Sequence, residues 1–78
     1  MGTQGSTIEA AKQFNIEGAF EAVGGNPATH EVAASRLIRY IQANLHYTFE
    51  RARDFLNILV EMGRAVWSTF SVVRIVVA

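Results

Sequence analysis

The sequence has no cysteine and a single proline, Pro27, and each scarcity closes off a class of protein. Without thiols there is neither a disulfide framework nor a thiolate metal site, and the redox compartment stays open. With proline confined to position 27, nothing from Ala28 to Ala78 forbids a helix, and Gly63 is the one glycine in that stretch. Charge is also scarce: 18% of the 78 residues are charged, 50% are hydrophobic, and the formal net charge is zero. A chain this short buries a modest share of its surface, so some of that apolar excess is expected to meet a partner or lipid.

Enzymatic chemistry is poorly served. There is no cysteine nucleophile, no Ser–His–acid set and no pair of carboxylates placed to face each other across a cleft. A chain of this length also has little room for a substrate pocket. The expectation is a protein with no catalytic residue, no cofactor, no metal site and no small-molecule substrate. No basic-then-apolar leader opens the chain, so no secretory signal is expected.

The zero net charge hides a division. Glu9, Glu17, Glu21 and Glu31 face only Lys12 in the first 34 residues. Arg36, Arg39, Arg51, Arg53, Arg64 and Arg74 then outnumber Glu50, Asp54 and Glu61. Such a dipolar chain can attract its neighbour when subunits stack with a stagger.

Residues 1–6, Met-Gly-Thr-Gln-Gly-Ser, are small and polar and read as a flexible arm. Ser6 and Glu9 have capping-box spacing, which starts a short helix over residues 7–23. Gly24-Gly25-Asn26-Pro27 is the strongest break in the chain. From Ala28 onward a heptad register with Ile38 at position a places Ile38, Ile41, Leu45, Ala52, Phe55, Leu59, Met62, Val66, Val73 and Val76 on one seam. Thr48 and Thr69 are its polar members, and no charge falls at a, d or e. One helix over residues 28–78 would be roughly 75 Å long, whereas a compact chain of this size is about 25–30 Å across. Either the helix folds back near Asn44 or Gly63, or other chains cover the seam. The second is preferred, because neither point has the turn chemistry of residues 24–27.

The last segment is apolar on every face, from Val66 and Trp67 through Phe70 to Val77. Such a helix is buried in protein or in lipid. The β-branched run Val72-Val73-Arg74-Ile75-Val76-Val77 offers a strand as the alternative. Phe55 to Ala78 is long enough to cross a bilayer, but Glu61, Arg64 and Arg74 make insertion of a lone helix marginal. A soluble assembly therefore stands slightly ahead of membrane insertion, with interfacial association as a third mode.

Smaller motifs add options. Gly2 and Ser6 fit the N-myristoylation pattern, which makes Gly2 a candidate lipidation site. The opening resembles that of the internal capsid peptides of picornaviruses in Gly2, Gln4, Ser6 and Thr7, and the likeness ends there. His46 and Glu50 have the i, i+4 spacing of helical metal ligands, but too few partners accompany them. Arg36, Arg39, Arg51 and Arg53 interleave with Tyr40, Tyr47 and Phe49 as in single-strand nucleic-acid binders, although the basic footprint is thin.

The sequence thus reads as an all-α protein, a single helical domain over residues 7–78 behind its arm. The function expected is a structural subunit that assembles with copies of itself as a coiled coil, as part of a filament, virion or multi-subunit complex. Its assembly seam would be Ile38, Ile41, Leu45, Phe55, Leu59, Met62, Val66, Val73 and Val76. A membrane-associated protein with one span, or an accessory subunit of a membrane complex, is the alternative. A nucleic-acid-binding helical protein is the less favoured third.

Overall fold

The heptad pattern implies one rod, but the backbone reverses twice along it. A computed structural model describes residues 3–76, with side chains from residue 8 onward. At His46 the chain enters the left-handed region (φ 56°), and the His46 and Tyr47 N–H groups both donate to the Gln42 carbonyl, closing a helix. Thr48 then starts the next helix, its hydroxyl accepting the Arg51 N–H at 3.2 Å. Gly63 (φ 81°) makes the second reversal with open space beside it, a conformation that costs glycine nothing and other residues about 1–2 kcal/mol. The expected all-α rod is therefore replaced by a mixed α/β fold.

Its elements in chain order are α1 (Thr3–Gln13), α2 (Ile16–Ala22), β1 (Glu31–Ala33), α3 (Ala34–Leu45), α4 (Phe49–Glu61), β2 (Ala65–Thr69) and β3 (Val72–Ile75). α1 begins at Thr3, inside the stretch read as a flexible arm and ahead of the helix start expected at Thr7. The helix expected over 7–23 is divided because the Asn15 side chain caps α2, accepting the Gly18 N–H at 3.0 Å. After α2, the Gly25 backbone passes against the Phe20 ring so closely that a Cβ there would lie 2.2 Å from it. Asn26 then shapes the turn into β1: its side chain accepts the Ala28 N–H, and its own N–H reaches the Glu31 carbonyl.

The three strands form one antiparallel sheet in the order β1-β3-β2. Val32 pairs with Val73 and Trp67 with Val73, while Glu31 and Val66 pair with Arg74 on the opposite face. One face is therefore apolar and covered by helices, and the other is solvated. Val66, Val72 and Val73 behave as their β-branching suggests, because two short strands satisfy their backbones where a helix had been preferred.

The core explains why the seam looked continuous. α3 buries Ala34, Leu37, Ile38 and Ile41, and α4 buries Ala52, Phe55, Leu56 and Leu59, each at i, i+3, i+4 and i+7. These two stripes share one cluster with Val73 and Ile75 of β3. Phe55 is its centre, with Phe14 (5.3 Å) and Tyr47 (5.7 Å) edge-on to its ring. The radius of gyration is 11.6 Å, against about 11.5 Å for a compact chain of this length. The coiled-coil helical assembly is overturned by this burial. Among the described residues no helix is long and apolar enough to cross a membrane, because the stretch from Phe55 is divided among α4, β2 and β3.

Leu59→Ala should destabilise the fold by about 2–5 kcal/mol in urea unfolding without changing the association state. A loss below about 1 kcal/mol would show that Leu59 is not part of a packed interior.

Candidate functional site

The residues read as an assembly seam divide into two groups. Ile38, Ile41, Phe55, Leu59 and Val73 are buried, and Leu45 and Met62 pack half-buried against the same core. This chain covers them itself. Val66 and Val76 are the exceptions, and both are exposed. Gly2 lies outside the described residues.

The polar candidates are dispersed. His46 ends α3 while Glu50 lies in the first turn of α4, so they share no helical face. Among the described residues no group of three or more His, Asp or Glu side chains could hold a metal ion. Several of the arginine and aromatic side chains meet one another within the chain. Arg51 stacks 4.6 Å from the Tyr47 ring centroid and Arg53 lies 6.0 Å from that of Phe49, while Tyr40 meets Phe14 edge-on. Two other arginines hold helix ends. Arg64 Nη1 donates to the Ala11 carbonyl at 2.7 Å at the end of α1, and Arg36 Nη1 reaches Val23 beyond α2 at 3.4 Å.

What is left over is apolar. Phe70, at the β2–β3 turn, is 96% exposed, with Phe49 at 52% and Trp67 at 37%. All three line one shallow groove of about 290 Å³, with Ala34 and Ile38 also among its walls. α3, α4 and the hairpin meet there, which explains the placement. Trp67 points to the helix side of the sheet like Ala65, but from an edge strand, so its ring is only partly covered. Phe49 is the first residue of α4, directly after the Thr48 cap. Phe70 has a fixed base, because the Ser71 carbonyl accepts the Ala34 N–H at 2.9 Å and the Thr69 hydroxyl accepts the Ser71 N–H at 3.2 Å. With these exposures the three residues offer roughly 400 Å² of surface, the size of the largest apolar patch on a typical single chain, and such patches are often functional.

Sequence reasoning treated Trp67 and Phe70 as turns of an apolar helix and Phe49 as a nucleic-acid contact. The signal that could have found them together was the strand alternative at the C-terminus, which makes Phe70 a hairpin tip. A larger hollow of about 440 Å³ lies beside α2, lined by Glu17, Phe20, Glu21, Pro27, His30 and Ile75 among others. Its carboxylates are exposed on a seven-residue helix, and no metal cluster forms there. No protein-family model, curated protein or solved structure gives a significant match to the chain.

Phe70→Ser should leave stability within about 0.5 kcal/mol of the parent in urea unfolding, as expected of a side chain that packs on nothing in its own chain. A loss of about 2 kcal/mol or more would place Phe70 in the fold rather than on an interaction surface.

Proposed function

We propose that this chain is a non-catalytic structural module that associates with a second copy of itself through the hairpin face bearing Phe49, Trp67 and Phe70. The observation that carries this reading is the almost complete exposure of Phe70 beside two other exposed rings on one groove. Exposed apolar residues scattered singly need no partner, whereas three aromatics on one groove form a patch that water solvates poorly.

Two copies covering roughly 400 Å² each bury roughly 800 Å², at the small end of interface sizes, which fits weak association rather than a tight dimer. The overall net charge of zero also imposes no long-range repulsion between copies.

Sedimentation velocity in plain buffer from micromolar to millimolar concentration tests the reading. The expected result is a concentration-dependent species of twice the 8.6 kDa chain mass. Phe70→Asp should move that equilibrium at least about tenfold toward the single chain, since it places a charge in the buried patch. A single chain at every concentration would overturn the proposal, and co-flotation of that single chain with lipid vesicles would replace it with a membrane-surface role.

A further inference from the structure

We infer that the two copies join edge to edge, β2 against β2 in antiparallel register about a two-fold axis at Val66, so that two three-stranded sheets become one. The inference rests on the self-association proposed above and adds its geometry.

Backbone alternation identifies the free edge. The Val76 N–H donates to the Arg64 carbonyl at 3.0 Å, and the Ile75 N–H donates to the His30 carbonyl at 2.9 Å. Hydrogen-bonding direction alternates along a central strand, so Arg74 and Val76 face β2 while Val73 and Ile75 face β1. On β2, Arg64 and Val66 therefore face β3, and Ala65 and Trp67 turn their N–H and C=O groups outward. The outer side of β1 differs, because its Glu31 carbonyl is taken by the Asn26 N–H at 2.9 Å. The molecule closes one edge of its sheet with its own turn. Among the described residues no such bond covers β2.

β2 also lacks the usual deterrents to pairing. Its sequence, Ala-Val-Trp-Ser-Thr, has no charge and no proline. A bulge between Trp67 and Thr69 ends regular pairing, which confines any partner strand to the first half of β2.

One register satisfies both outward residues. With Val66 facing Val66 of the second copy, Ala65 pairs with Trp67 and Trp67 with Ala65. Moving the axis to Ala65 sets Trp67 against the Gly63 turn. Moving it to Trp67 sets Ala65 against Thr69, beyond the bulge. The preferred register places the large Trp67 beside the small Ala65 and covers Val66, which is 41% exposed, with its own equivalent.

The Arg74 side chains do not oppose this arrangement. Arg74 and its equivalent are separated by the two β2 strands, about 14 Å at ~4.8 Å per strand, beyond the ~8 Å screening length at physiological salt. A standard interface covers about 800 Å² per partner. Each copy has 4890 Å² of surface, so the hairpin face and the open edge must together supply about a sixth of it.

The chain has no cysteine, so a single introduced thiol reports the geometry cleanly. In Val66→Cys the two Cα atoms at the axis would stand ~4.5 Å apart, inside the ~4.4–6.8 Å that a disulfide spans. Under a glutathione redox buffer, this variant should form disulfide-linked dimers at least about tenfold faster than Thr29→Cys, a control in the exposed turn before β1. Both substituted side chains are exposed, so neither variant should disturb folding. In the unmodified chain, the Ala65 and Trp67 amides should exchange slowly at millimolar and quickly at micromolar concentration. If sedimentation finds a dimer but Val66→Cys links no faster than Thr29→Cys, edge pairing fails while self-association stands. If no dimer forms, both fail.

Discussion

The fold depends on a length constraint. Two amphipathic helices of 12 and 13 residues each present a four-residue apolar stripe, and neither stripe is covered unless the chain doubles back. Isolated helices of that length are marginal in water, so their stability has to come from packing. The reversal at His46 lets α3 and α4 cover one another, and the reversal at Gly63 lays β2 and β3 over what remains. Phe55 lies where these contacts converge, fully buried, with rings from α1's end and from the α3–α4 loop against it. Without that hairpin of helices, the sheet would have an apolar face and nothing to rest on.

Part of this is legible in the sequence and part is hidden by periodicity. The break at Gly24–Pro27 and the apolar spacing of α3 and α4 can be read directly. The rod cannot be distinguished from two core helices, because over three turns a heptad seam and an i, i+3, i+4, i+7 stripe coincide. The polar members of the seam were the clue. Thr48 is the cap of α4, and Thr69 is the end of β2 before its turn. The reversal before Thr48 uses His46 in a left-handed conformation rather than glycine or proline, so no compositional signal marks it. Gly63 and the β-branched run after it did mark the second reversal, but both were outweighed by the continuous pattern. The surface groove was not legible, since its walls come from α3, α4 and a hairpin that the rod excluded.

The charge division finds a use within the molecule. Arginines from the basic second half hold backbone carbonyls at the ends of helices from the acidic first half, Arg64 on α1 and Arg36 beyond α2. A guanidinium at a helix C-terminus meets both the unpaired carbonyls and the negative end of the helix dipole. On the solvated face of the sheet, Glu31 accepts the Ser68 hydroxyl at 2.6 Å, which ties β2 back toward β1 across β3. Two of the six arginines thereby act within the chain, and Phe49, Trp67 and Phe70 are the rings it leaves exposed.

The placement of that remainder carries the argument about function. A two-residue turn between strands is ordinarily made by glycine, asparagine or aspartate, which tolerate its backbone geometry. Here Phe70 and Ser71 occupy it, and the turn is held by the Ser71 carbonyl on α3 and the Thr69 hydroxyl on Ser71, neither of which needs a ring at position 70. A phenylalanine there gives the single chain no packing and exposes nearly its whole surface to water. The same hairpin carries an uncharged edge, while the other edge of the sheet is closed by Asn26. Both features are liabilities for an isolated globule and assets for one that meets a copy of itself. They lie on one hairpin, within reach of a single partner strand.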